Sequence, residues 1–93
     1  VKNQSSSFSN IAATGTTTVK SGAGIFRRLV INTKGGSSNT FTIYDNTAGS
    51  GTVIATVDTV NSSGSLEYGL AFSTGLTIVS ASGTSANATV IYE

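Results

Sequence analysis

Hydrophobic residues along this chain alternate with polar ones in short runs. In SLEYGLAF (65–72), Leu66, Tyr68, Leu70 and Phe72 fall on one side of an extended chain, and Glu67, Gly69 and Ala71 fall on the other. A period of two is the mark of a half-buried strand. The STG that follows turns the chain into a second strand, LTIVSA (76–81). The same rhythm recurs upstream. TTTVK (16–20) places Thr17 and Val19 together, NTFTIYD (39–45) pairs Phe41 with Ile43, and TVIATV (52–57) aligns Val53, Ala55 and Val57. The longest apolar run, IFRRLVINT (25–33), has Leu29 and Ile31 on one face, with Phe26 and Val30 on the other. NATVIY (87–92) closes the series. Between the runs lie SGAG, KGGSS, NTAGSG, NSSG, STG and SGTS, clusters whose glycines allow positive φ and whose Ser and Asn side chains bond nearby backbone. No long stretch keeps helical spacing, and the Thr, Val, Ile and Ser content disfavours helix.

About seven to eight strands spaced by roughly 8–12 residues predict an all-β fold, an antiparallel β-sandwich or small barrel. A jelly-roll-like and an immunoglobulin-like sandwich both give this rhythm. Residues 16–93 read as one sandwich domain. Residues 1–15 (VKNQSSSFSNIAATG) are less regular, and read either as an N-terminal arm or as an extra strand through Phe8, Ile11 and Ala13. An arm that orders on a neighbour would make Phe8 and Ile11 assembly contacts.

Composition sharpens the picture. The chain has 93 residues, no cysteine and no histidine, so neither disulfides nor a Cys/His metal site can supplement a small core. Domains of this size gain further burial by packing on copies of themselves or on a larger partner. Five basic residues against four acidic ones leave a net charge of +1, which gives no case for a nucleic-acid or membrane partner. Polarity comes instead from fifteen serines and fifteen threonines. Such a neutral surface is not repelled by its neighbours and suits a close-packed assembly. No run of about 18 apolar residues occurs, and VKNQSSSFSN lacks the apolar centre of a signal peptide.

Candidate chemistry is sparse. Without histidine, Ser-His-Asp and Cys-His devices are excluded. A Ser-Lys pair with Lys20 or Lys34 has nothing to single out its serine. The carboxylates Asp45, Asp58, Glu67 and Glu93 lack the aromatic walls of a glycosidase cleft. Asp45-Asn46 in DNTAGSG falls short of a calcium loop, and reads as a pair bonding its own backbone to start the turn. SGAG and AGSG lack the Lys-Ser/Thr and helix of a phosphate loop. No catalytic, cofactor or metal residue is assigned, and no enzyme activity is expected. Arg27-Arg28 is the one local charge concentration. Its bland account is an edge strand or strand end with one arginine reaching water, and its sharper account is an arginine crossing a subunit boundary to Asp58 or Glu67. Tyr44 lies opposite Phe41 and Ile43, where it would face a binding surface. Sequons at Asn3, Asn61 and Asn87 are expected by chance in so Ser/Thr-rich a chain.

The segments FSNIAATGTTTVKSGAGIFRRLVINTKG, NTFTIYDNTAGSGTVIATVDT and SLEYGLAFSTGLTIVSASGTSANATVIYE together resemble the small all-β virion structural proteins of tailed bacteriophages, of the capsid decoration (cement) or head-fibre type. The resemblance rests on the TTTVKSGAG-to-INTKG step, the TIYDNTAGSGT hairpin and the LEYGLAFSTGLTIV strand pair. It implies a β-sandwich on the outer capsid surface that binds the major capsid protein and forms a homo-oligomer, a trimer at a lattice three-fold. It carries over no catalytic position. Two other classes share the rhythm: a carbohydrate-binding or adhesin-like module with Tyr44 or Tyr92 as its platform, and a subunit of a tail or extracellular filament.

Overall fold

Eight strands form in chain order: β1 Ser7–Ile11, β2 Gly15–Ser21, β3 Gly24–Thr33, β4 Thr40–Asp45, β5 Thr52–Asp58, β6 Gly64–Phe72, β7 Gly75–Ala81 and β8 Asn87–Tyr92. The computed structural model describes residues 7–62 and 64–93. All pairings are antiparallel, and they nest: β1 with β8, β2 with β7, β3 with β6, β4 with β5. Further pairs, β3–β8 and β4–β7, knit these into two four-stranded sheets ordered β1-β8-β3-β6 and β2-β7-β4-β5. A hairpin of four nested pairs rolled into two facing sheets is a jelly roll. Pairing order, which the strand rhythm leaves open, thus decides between the two expected sandwiches.

The segment 7–11 is a strand of this sandwich, paired from Ser7↔Tyr92 to Ile11↔Ala88, and Ala13 lies beyond its end. Residues 1–6 of the expected arm, with the sequon at Asn3, lie outside the described residues. Of the other two sequons, Asn61 is exposed, whereas Asn87 stands half-buried in β8.

The core is built from the inward face of both sheets: Phe26, Leu29, Ile31, Ala88 and Val90 from one, Phe41, Ile43, Leu76 and Ile78 from the other. β6 behaves as its alternation predicts, with Leu66, Tyr68, Leu70 and Phe72 turned inward and Glu67, Gly69 and Ala71 exposed. β3 departs from strict alternation. Its pairing slips between Phe26 and Arg28 against both neighbours: Arg27 is an extra residue against β8, whereas toward β6 it faces two residues, Tyr68 and Gly69. That bulge reverses the phase, and Phe26 joins Leu29 and Ile31 in the core instead of sharing a face with Val30. Phe26 is fully buried and stacks on the Tyr68 ring, with centroids 4.7 Å apart and an interplanar angle of 17°. Burying a phenylalanine stabilises by about 2–3 kcal/mol, more than the roughly 1 kcal/mol of a lost ladder bond. The core therefore dictates the bulge.

One end of the sandwich is held by a polar side chain. Asn39 is fully buried just before β4, and its amide nitrogen donates to Ser80 Oγ at 3.1 Å, Ala81 O at 3.2 Å and Ser82 O at 3.0 Å. Its Oδ1 accepts from the Thr59 hydroxyl at 2.6 Å and from the Ala86 N–H at 3.1 Å. One amide thus ties together the chain leaving β5 and the β7–β8 connection, whose residues would otherwise bury unpaired polar groups.

Candidate functional site

The two outer sheet faces are unlike. On the β2-β7-β4-β5 face, outward residues run in rows such as Val53–Tyr44–Thr77–Thr18. The loop after β4 folds back over part of this face. Thr77 donates to Asn46 O at 2.7 Å and Thr18 to Thr47 O at 3.2 Å, and Gly49 lies so close that a Cβ there would meet the Val79 methyl at 2.8 Å. Thr77 is fully buried as a result, although it points away from the core. Asn46 braces the loop from within, donating to Ser50 O at 2.7 Å and accepting from Thr47 N–H at 2.8 Å, as its turn chemistry leads one to expect.

Asp45 does something else. Its carboxylate reaches across to the β6–β7 turn and accepts the backbone N–H groups of Ser73 (3.1 Å), Thr74 (2.9 Å) and Gly75 (3.4 Å), with the Ser73 hydroxyl at 3.3 Å. Sequence proximity favours its own turn, but three converging N–H groups outbid one. The Thr74 and Ser73 N–H bonds hold the Asp45 carboxyl below its ordinary value of 3.8. Asp58 is lowered likewise, by the Asn61 amide and then the Val60 N–H. A depressed folded-state pKa contributes stability above the unfolded value and loses it as pH falls through the folded one. We therefore expect the wild-type Tm to fall as pH drops below about 4. The part of that fall due to Asp45 should be absent in Asp45→Asn, whose Tm at neutral pH is lower from the start. Calorimetry of both chains across the acid range checks it.

The β1-β8-β3-β6 face is nearly neutral. One row reads Phe8–Ile91–Arg28–Glu67 across the four strands, and the next reads Asn10–Thr89–Val30–Ser65. Phe8 is 72% exposed, the most exposed large hydrophobic residue described. Beside it a polar ladder is already paired: Asn10 and Asn32 both donate to Asn87 Oδ1, at 2.8 and 3.2 Å, and Asn32 also reaches Thr89 Oγ1 at 3.0 Å. Arg28 Nε stands 3.3 Å from Glu67 Oε2, so the two charges of that row compensate each other.

The residues singled out in the sequence distribute as follows. Phe8 and Arg28 lie in one row of this face. Ile11 is buried in the core. Arg27 is half-buried at the bulge and pairs with Glu93 of its own chain, Nε to Oε2 at 2.7 Å. Arg28's carboxylate is Glu67, as the sharper account names, but within the same sheet. Tyr44 is half-buried on the opposite sheet beside Val53, which is 49% exposed. Tyr92 packs against the core, and burial raises the Tyr68 phenol above its ordinary value. Sequence reasoning passes over Ile91, Val30 and the Asn10–Asn87–Asn32 ladder. The alternation of NATVIY carries a signal for Ile91 and Asn87, but their neighbours arrive from strands more than 50 residues away, and no local pattern names those.

Among the described residues there is no pocket and no group of three acidic side chains placed to hold a metal. Comparison with protein-family models, curated proteins and solved structures gives no match to this chain. What the fold and surface define is a small jelly-roll sandwich with one open, neutral sheet face bearing an exposed phenylalanine.

Proposed function

We propose that this chain is a non-enzymatic virion structural protein: a capsid decoration protein of a tailed bacteriophage that docks on the outer capsid surface, contacts the major capsid protein and stabilises the shell. The observation that supports it most is the β1-β8-β3-β6 outer face. Protein–protein contact surfaces are depleted of charge at their centre and enriched in aromatics. Here Phe8, Ile91 and Val30 sit among amides and hydroxyls already satisfied within the sheet, and Arg28 is neutralised by Glu67. Little needs desolvating before such a face meets a partner. The jelly roll recurs in viral capsid proteins, which agrees with the reading at the level of fold alone. Binding the assembled lattice better than its free subunits would stabilise the shell by mass action.

The test is co-sedimentation with capsids assembled without this protein. The wild-type chain should bind saturably and raise the temperature at which the shells open. Val30→Lys places an unpaired charge mid-face and should weaken binding about tenfold or more. No binding by the wild-type chain, or equal binding by the variant, overturns the proposal. Retention on immobilised glycans that Tyr44→Ala abolishes would replace it with the carbohydrate-binding reading, whose platform is Tyr44 beside Val53.

A further inference from the structure

The sandwich has four edge strands: β1 and β6 in one sheet, β2 and β5 in the other. An edge exposes unpaired backbone donors and acceptors, and proteins block unwanted pairing there with bulges and charges. Three edges are blocked in both ways. β2 carries an extra residue, Val19, in its register with β7, next to Lys20. β5 carries Ile54 as its extra residue and ends on Asp58. β6 spends two residues, Tyr68 and Gly69, opposite Arg27, with Gly69 at φ 61°, and it bears Glu67. β1 has neither device. Its register with β8 runs unbroken from Ser7 to Ile11, and the strand Ser-Phe-Ser-Asn-Ile is uncharged.

The direction of the free backbone groups on β1 follows from the ladder. Ile25 and Glu93 exchange both of their N–H···O bonds, at 3.0 and 2.8 Å, so the backbone of Glu93 faces β3. Strand groups alternate sides, so Tyr92, Val90 and Ala88 turn theirs toward β1. Their partners there are Ser7, Ser9 and Ile11. Phe8 and Asn10 therefore aim N–H and C=O away from the sheet. No described strand pairs with β1 on that side.

We propose that the β1 edge is a self-association site, where β1 of a second copy pairs antiparallel about a two-fold axis through Ser9. In this register Phe8 lies opposite Asn10 of the other copy, and the two residues exchange both bonds, once on each side of the axis. An uncharged strand meets its own copy without like-charge repulsion, and a two-fold pairing closes, so association stops at the dimer. The two Phe8 rings become diagonal neighbours on the outer face, about 7–8 Å apart at the backbone and within reach of each other. The sheet becomes eight-stranded, β6-β3-β8-β1 continuing into the same order reversed. This inference does not depend on the capsid reading, because it concerns the protein alone.

The experiment is sedimentation equilibrium joined to amide exchange, without capsids. The expected mass is twice 9.3 kDa. The Phe8 and Asn10 amides should exchange slowly in the dimer and fast on dilution, while the Ser9 amide stays protected in both. Phe8→Lys should raise the dissociation constant about tenfold or more by setting a charge at the seam. Asn10→Pro removes one seam donor while leaving the β8-facing donors in place, and should do the same. Val30→Lys, mid-face and off the edge, should leave the mass unchanged, so loss of capsid binding and loss of dimer are read separately. A monomer at all concentrations, a three-fold mass, or a dimer in which the Phe8 and Asn10 amides exchange freely would each overturn the proposal.

Discussion

Asn39→Ala should lower the unfolding free energy by about 3 kcal/mol, among the largest effects expected of any single substitution in this chain. The side chain is fully buried and uses all the hydrogen-bonding capacity its amide offers to the β7–β8 connection and Thr59. Alanine leaves the buried Ala86 N–H without its acceptor, and the part-buried carbonyls of Ala81 and Ser82 without this donor but within reach of water. Each unpaired buried group costs about 1–3 kcal/mol, offset in part where water enters. Thr59 keeps its second bond, to the Asn39 backbone carbonyl at 3.0 Å, which limits the loss. A domain of 93 residues has roughly 5–14 kcal/mol in total, so the variant should unfold well below the wild-type denaturant midpoint. Asn39→Asp separates shape from chemistry. It is nearly isosteric, yet its carboxylate faces the three oxygens that the amide nitrogen served, so it should be at least as unstable as alanine at neutral pH. If Asn39→Asp instead matched wild type in chemical denaturation, the donor role assigned here would fail.

Phe26→Ala should cost about 4 kcal/mol, the usual range for deleting a buried phenylalanine. Phe26 is fully enclosed between the sheets and carries the stacked contact with Tyr68. Its loss also removes the reason for the β3 bulge, since the bulge exists to bring residue 26 to the core side. Phe26→Leu should keep much of the burial and cost about 1–2 kcal/mol. Urea titration measures the stabilities, and near-ultraviolet circular dichroism reports the Tyr68 environment. Equal stability of the alanine and leucine variants would count against the packing account.

The β1 edge and the open face of the same sheet make different demands. The proposed capsid contact would use the side chains of the face, so Val30→Lys should weaken it. The proposed self-association would use the backbone of the edge, so a proline at position 10 should weaken it. Phe8 belongs to both, standing in an edge strand with its ring on the outer face. Both proposed contacts would cover Phe8, the most exposed large hydrophobic residue described.

By itself the sequence determined that this chain is all-β, built of short strands as a sandwich or small barrel. Alternation is a local property: in SLEYGLAF each residue's face follows from its neighbours, and the glycine-serine clusters mark the turns wherever the strands go. It also determined the lack of histidine and cysteine chemistry, which is a matter of composition. Only the tertiary structure decided which strands pair. The order β1-β8-β3-β6 brings together residues up to 85 positions apart, from Ser7 to Tyr92, and no local pattern encodes that. The bulge at Arg27 turned Phe26 inward because the hydrophobic gain of one ring exceeded the loss of one ladder bond. Asp45 chose the β6–β7 turn over its own for the same kind of reason, since only the fold brings three N–H groups to one carboxylate. Asn39 became a buried tie because two distant connections converged on it. Local chemistry set the strands and their turns. Competition for burial and for hydrogen-bond partners, which exists only once distant segments meet, set everything that distinguishes one face and one edge from another.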